Sequence, residues 1–327
     1  MKRALSLAIF LAACGEDKPA QDPTTPPKPT STTADAAVAL NSATTDAAVE
    51  PPKLIGPTAV QRWTGFQTPE SVLWDEADDR YLVSNINGSP MDLDNNGYIS
   101  IVAPDGKVTT EKWIAGGEKK VKLDAPKGTA IANGTLYVTD ITVVRMFDLK
   151  TGASKGDMKV PGAVFLNDAA AGADGTVYVS DTGMKLGKNG PEPAGADAIY
   201  SIDKGGKLKT IAKSKDLGGP NGLWIQDKNV LVVSFGAAGL YRVDDKGKMQ
   251  DVTKLPKGSL DGIVQAGDSL LISSWEGSAV YKGKLGGTFE AVLENQKSPA
   301  DIGWDKKRSR VLVPHFMENT VEAYEIK

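Results

Sequence analysis

The chain is short of the side chains on which many sites depend. Its 327 residues include one cysteine and one histidine. A single cysteine excludes an intramolecular disulfide. A single histidine, His315, excludes histidine-dyad chemistry and a His-rich zinc site, and it argues against a Ser-His-Asp triad; His315 reads as a channel-wall or packing residue. Charge of one sign is also missing. Thirty-eight basic and 41 acidic residues give a net charge of −3, with no Lys/Arg face, so nucleic acid is not an expected partner. No Gly-x-x-x-x-Gly-Lys-Ser/Thr occurs, which removes the P-loop. Long apolar runs are absent, and after residue 58 no stretch keeps a helical period.

The cysteine has an informative place. Lys2-Arg3 is a positive start, residues 4–12 are apolar yet too short to span a bilayer, and Leu11-Ala12-Ala13-Cys14 closes the segment. This resembles a bacterial lipobox, which implies cleavage before Cys14 and lipid on its sulfur and new amino group. The alternative is a cytosolic chain with a chance apolar start. Residues 15–57 carry eight of the 19 prolines and almost no large apolar residue, so they cannot bury enough area to offset ordering entropy. The expected organisation is a signal peptide at 1–13, a lipidated Cys14 and disordered Pro/Thr/Ala linker at 14–57, and a folded domain at 58–327. Several acyl chains anchor stably, and Gly15 after the cysteine resembles the outer-membrane-sorted class. The expected location is therefore the bacterial cell envelope, lipid-anchored at the outer membrane, as a monomer.

What the chain has in abundance is one phrase, repeated six times. Its copies begin Pro69-Glu70-Ser71, Pro126-Lys127-Gly128, Leu166-Asn167-Asp168, Pro220-Asn221-Gly222, Leu260-Asp261-Gly262 and Pro299-Ala300-Asp301. Each runs through a turn into a second apolar run such as Tyr81-Leu82-Val83-Ser84 or Val177-Tyr178-Val179-Ser180. Self-similarity at a spacing of 39 to 57 residues signals a repeat architecture. Thirty-five glycines and turn pairs such as Asp105-Gly106, Asn133-Gly134 and Asp174-Gly175 separate short Val/Ile/Tyr/Leu runs, which reads as all-β. Further strands are expected at 98–102, 144–148, 198–202, 240–243, 279–282 and 320–326. About four strands per repeat, six times, predicts an all-β six-bladed β-propeller, with residues 59–64 closing the last blade against the C-terminal strand. Trp74, Trp113, Trp224, Trp275 and Trp304 are expected to fill between blades.

In such a fold the inner strand of each blade lines the axis, so the second residue of each phrase converges there. The ring is Glu70, Lys127, Asn167, Asn221, Asp261 and Ala300, with Asp168 and Asp301 one residue further on. Glu70, Asn221 and Asp261 offer the carboxylate and amide oxygens that hard cations take, and two buried carboxylates need a cation or protons. The alternative is that these groups only cap backbone of the inner strands. A weaker candidate, Asp92-x-Asp94-x-Asn96-Gly97, matches the opening of a calcium loop but has Ala103 at the twelfth position, so a hairpin turn is expected.

Glu70-Ser71-Val72-Leu73-Trp74-Asp75 resembles the opening Glu-Gly-Pro-x-Trp of the SMP-30/gluconolactonase/LRE-like propellers. Leu166-Asn167-Asp168, Pro220-Asn221-Gly222 and Leu260-Asp261-Gly262 resemble its later blade motifs in order, over residues 60–327. The resemblance implies a divalent metal, Ca²⁺ first with Mg²⁺, Mn²⁺ or Zn²⁺ as alternatives, held by Glu70, Asn221 and Asp261. It implies a small-molecule substrate placed by Asn167, and lactone or ester hydrolysis with Asp261 moving a proton. Two departures stand out. Phe165 replaces a substrate-binding Arg, and Ser71-Val72 replaces Gly-Pro. Lys127 either supplies the missing cation, as a substrate-binding residue, or pairs with Glu70 and weakens the metal site. A non-catalytic binding propeller is the alternative function. The lipobox reading is checked by metabolic labelling: Cys14→Ser should abolish incorporation of radioactive palmitate and release the protein from the membrane fraction.

Overall fold

The computed structural model describes residues 57–188 and 190–326, so the expectations for Cys14, the signal peptide and residues 15–56 lie outside the described residues. The described chain is a six-bladed β-propeller with six four-stranded antiparallel sheets. From the axis outward, blade one runs Pro69–Asp75, Arg80–Asn85, Tyr98–Val102 and Val108–Ala115. Blade two runs Pro126–Ala132, Thr135–Asp140, Val143–Asp148 and Ser154–Lys159, and blade three Leu166–Ala171, Val177–Asp181, Ala198–Ile202 and Leu208–Lys213. Blade four is Pro220–Gln226, Asn229–Ser234, Gly239–Val243 and Met249–Lys254; blade five is Leu260–Ala266, Ser269–Ser274, Ala279–Gly283 and Phe289–Leu293. Blade six takes Gly303–Asp305, Arg310–His315 and Thr320–Glu325 from the C-terminal part, and Gln61–Thr64 completes it.

Burial follows distance from the axis. The inner strands are buried on both faces over their first half, whereas the outer strand Ser154–Lys159 is almost wholly exposed and reads Ser-Lys-Gly-Asp-Met-Lys. The apolar core lies between blades rather than inside any one of them. Leu82 and Ile99 of blade one, for example, pack on Leu136, Val138 and Phe147 of blade two. A blade alone therefore exposes two apolar faces, and only closure of the ring covers them.

Closure is made twice. Gln61–Thr64 pairs antiparallel with residues 320–323, as the sequence predicted, and Trp63 packs edge-on against Tyr81 at 5.7 Å. On the rim between blades six and one, Arg308 donates to Asp305 Oδ2 at 2.8 Å and to Asp79 Oδ2 at 2.7 Å, and the Tyr81 hydroxyl donates to Asp305 Oδ2 at 2.7 Å.

Every inner strand carries the same irregularity at the phrase. Pro69 pairs with Asn85 while Ser71 pairs with Ser84, so one extra residue sits on the inner strand. The same one-residue shift falls between Pro126 and Thr129, Leu166 and Ala169, Pro220 and Leu223, and Leu260 and Ile263. Bulges of this kind bend a strand and re-aim its side chains. The polar residues that end the second runs hold the chain just ahead of it. Asn85 Oδ1 accepts from Gln67 N at 3.1 Å, Asp140 Oδ1 from Ala125 N at 2.8 Å, and Asp181 Oδ1 from Phe165 N at 2.9 Å. His315 occupies the same place in blade six and donates from Nδ1 to Lys297 O at 3.0 Å. It is buried, with its Nε2 turned toward Glu322 at 3.4 Å.

One local expectation is corrected and one element is added. Asp92–Gly97 is not a tight hairpin turn but part of a long loop between the second and third strands of blade one. Its Asn95 bridges to blade two, donating to Asp124 Oδ1 at 3.0 Å and accepting from Leu123 N at 2.9 Å. An additional hairpin, Met184–Gly187 with Gly190–Pro193, projects from blade three and had no signal in the repeat.

The rim clasp gives a pH test. Hydrogen bonds from Arg308 and then Lys307 hold the Asp79 carboxyl well below the usual carboxylate range. A depressed folded value means the stabilisation is present above about pH 4, the unfolded value, and is lost as pH falls. Asp79→Asn should cost about 1 kcal/mol at pH 7, in keeping with a partly exposed pair. The difference from the unmutated chain should shrink steadily below about pH 4, read by urea unfolding.

Candidate functional site

The bulges deliver the ring that the sequence anticipated. Glu70, Lys127, Asn167, Asn221, Asp261 and Ala300 stand at equivalent positions of successive blades and are 0 to 6 % exposed. Inner strands meet closely here. A Cβ on Gly222 would lie 2.1 Å from Asp261 O, and one on Gly128 would lie 2.3 Å from Asp168 Oδ1, so no larger residue fits at either place. Between blades six and one the backbones bond directly, Asp301 N to Glu70 O at 2.9 Å and Val72 N to Asp301 O at 3.3 Å.

The ring residues divide into two kinds. Asp168 is a backbone cap: its Oδ2 accepts from Leu223 N and its Oδ1 from Ala169 N, both at 2.6 Å. Asn167 is fixed by donation from Nδ2 to Thr182 Oγ1 at 3.0 Å. The other kind is unsatisfied. Among the described residues, Glu70 Oε2, Asn221 Oδ1 and Asp261 Oδ1 are buried with no hydrogen-bond partner. Capping therefore accounts for Asp168 and not for these three. An unpaired buried polar atom costs about 1–3 kcal/mol, so three at one mouth ask for a ligand. They are also the three oxygens suited to a hard cation. Among the described residues no group of three or more His, Cys, Asp or Glu is placed to hold a metal. The set here is two carboxylates and an amide oxygen.

Charge at the axis is lopsided. Burial, followed by the Asp261 and Asp301 carboxylates, pushes Glu70 well above the usual carboxylate range, and Lys127 only partly offsets this. Burial and then Asp301 likewise raise Asp261, and burial raises Asp301 to about 7. Lys127, the one lysine of the ring, is lowered by burial to about 8. It forms no ion pair with Glu70 among the described residues. Its Nζ donates to Ala125 O at 3.0 Å and stands 4.4 Å from the centre of the Phe165 ring, the position where the resemblance expected an Arg.

Trp275 corrects the expectation for the tryptophans. Trp74, Trp224 and Trp304 pack against apolar clusters between blades, but Trp275 sits at the mouth and donates from Nε1 to Asp261 Oδ2 at 2.7 Å. The sequence reading missed it, although it follows directly on Ser273-Ser274 at the end of a second run, a place that the repeat makes comparable in all six blades.

Fold and site together define a six-bladed β-propeller with a polar, ligand-seeking ring at one mouth of its axis. Solved structures of the same architecture include an X-ray structure assigned as a gluconolactonase, 18% identical with a TM-score of 0.59 over 80% of this chain and 89% of that one. A gluconolactonase from Xanthomonas campestris is also 18% identical, with a TM-score of 0.59 over 83% and 88%. Virginiamycin B lyase from Staphylococcus aureus is 15% identical, with a TM-score of 0.53 over 79% and 95%. At these identities the likeness is one of fold. No family model and no curated protein matches the chain.

The excess of buried carboxyl groups predicts a pH effect in the metal-free protein. A raised folded value means stability is full below about pH 4, the unfolded value, and is lost as pH rises through the folded one. Asp301→Asn should therefore flatten the fall in Tm between pH 5 and pH 8, stabilising the chain at the higher pH, as measured by thermal melts in chelator.

Proposed function

We propose that the chain is a divalent-metal-dependent hydrolase of lactones or esters, with the mouth ring as its active site. The observation that carries this reading is the trio of buried, unpartnered oxygens, Glu70 Oε2, Asn221 Oδ1 and Asp261 Oδ1. These residues would hold the ion, Ca²⁺ first among hard cations because the donors are all oxygen. When bound, the ion would act as a Lewis acid toward a carbonyl oxygen and lower the pKa of a water.

The chain's own groups supply the rest. Asp261 has one oxygen pinned by Trp275 Nε1, which fixes the carboxylate so that its other oxygen faces the site. Without a cation, burial and then Asp301 raise its proton affinity, and a bound cation would favour its ionised form, the form a base needs. It takes the proton from the attacking water as the new C–O bond forms and returns it to the alkoxide when the old C–O bond breaks. Asn167, held by Thr182, presents a fixed amide to the substrate. Lys127 would neutralise the carboxylate that hydrolysis releases, which is the role left open by Phe165. The fold likeness to gluconolactonases supports the reaction class without fixing it.

Ligand binding without turnover is the second reading, and the stacking of Lys127 on Phe165 favours it. In either case the N-terminal segment ending in Cys14 would tether the domain at the cell envelope. No helix among the described residues is long and apolar enough to cross a membrane.

Hydrolysis of a lactone and ester panel by the full chain decides the matter. EDTA should abolish turnover and lower Tm, excess Ca²⁺ should restore both, and Glu70→Gln should cost at least about a hundredfold in kcat/KM, on the scale of lost electrostatic stabilisation. Turnover that survives both chelation and Glu70→Gln sinks the metal mechanism.

A further inference from the structure

A second six-fold position stands directly above the polar ring. The last residue of each second strand pairs with the residue that opens the inner strand, as Asn85 with Pro69 and Ser274 with Leu260. The next residue is thus one step closer to the mouth. In five blades its N–H is tied to the carbonyl just before the phrase: Ile86 to Thr68 at 3.1 Å, Thr182 to Phe165 at 3.0 Å, Phe235 to Gly219 at 2.8 Å, Trp275 to Ser259 at 3.0 Å and Phe316 to Ser298 at 3.1 Å. Ile141 holds the place in blade two, where its carbonyl accepts from Leu166 N at 2.7 Å.

Five of these six residues are apolar, although they lie in connecting loops, where polar residues are the rule. They also form a wall. Ile86, Ile141 and Phe316 pack together with Ala300, and Trp275 lies against them. The Trp275 ring is 5.3 Å from that of Phe316 and 6.2 Å from that of Phe235. The wall joins the ring at two points. Ala300 is the apolar member of the ring itself, and Trp275 reaches down to Asp261. Of these six residues, a ligand seated on the three unpaired oxygens would meet the partly exposed rings of Phe235 and Trp275 first, with Phe316 behind them and Thr182 as the one polar member. Hydroxyl groups placed there would lose water without gaining partners. A flat apolar group would gain both burial and ring contacts.

We propose that the ligand of this mouth is an aromatic or otherwise planar apolar lactone or ester, its carbonyl end toward Glu70, Asn221 and Asp261 and its apolar part against Trp275, Phe316 and Phe235. The proposal rests on the reading of the ring as a lactone or ester site and names its substrate class, setting polyhydroxylated sugar lactones aside.

Stable lactam analogues test it without turnover. Calorimetric titration of the full chain in Ca²⁺ would compare dihydroquinolinone, a benzo-fused lactam, with the polyhydroxylated gluconolactam. The benzo-fused lactam should bind at least about tenfold more tightly, and Phe235→Ser, at a partly exposed loop position, should weaken it about threefold to tenfold. Phe316→Leu, which keeps bulk but removes the ring, should do the same. Equal or tighter binding of gluconolactam, or binding of neither, overturns the proposal. Hydrolysis assays separate it from the reading beneath it. Tight binding of the aromatic lactam with no turnover of dihydrocoumarin would keep the ligand class and remove the hydrolase. Preferential turnover of gluconolactone would keep the hydrolase and remove the ligand class.

Discussion

One extra residue in each inner strand is the constraint on which the rest of this molecule depends. A regular strand alternates its side chains between two faces, and both faces of a propeller's inner strand are packed against neighbouring blades. Polar side chains at the axis would then have nowhere to point. The bulge breaks the alternation at the one place where the strand reaches the mouth, and Glu70, Asn221 and Asp261 leave the packed sheet at that point. Side chains such as Asn85, Asp140 and Asp181 hold the approach to the bulge in place. The same pairing sets the height of the residue that follows each second strand, so the polar ring and the apolar wall above it come from a single device.

The ring is a candidate site because it is costly as a structure. Four carboxyl groups, Glu70, Asp168, Asp261 and Asp301, converge in low dielectric with one lysine, and burial raises all four. Asp168 is quieted by two backbone N–H donors, which is an ordinary structural use of a buried acid. Glu70 and Asp261 keep one oxygen each without a partner, and so does the amide of Asn221. Among the described residues, three of the buried polar atoms left without a partner thus gather at this ring, on Glu70, Asn221 and Asp261. Such concentration of cost is what function usually requires.

Much of this was legible in the chain. The repeat, the all-β composition and the spacing led to six blades, to third strands such as 98–102 and 198–202, and to closure by the segment before the first blade. The ring residues were legible as well, since a phrase whose second position varies in chemistry while its frame repeats is visible without coordinates. Other features left no trace. Trp275 looked like one more tryptophan between blades, because local sequence does not say which apolar residue faces a core and which faces a mouth. The Asp92–Gly97 stretch looked like a turn, because its partners Leu123 and Asp124 lie in the connection to the next blade.

The sequence alone determined the architecture and the identity of the groups at the axis, since both depend on local periodicity and on position within a repeat. Tertiary structure decided which of those groups are satisfied. Whether an oxygen has a partner depends on atoms brought from other blades: Leu223 N of blade four reaches Asp168 of blade three, and among the described residues no donor reaches Asp261 Oδ1. It decided equally that Lys127 lies over Phe165 and not against Glu70, and that an apolar wall stands above a polar floor. Those are matters of distance between blades, and no spacing along the chain encodes them.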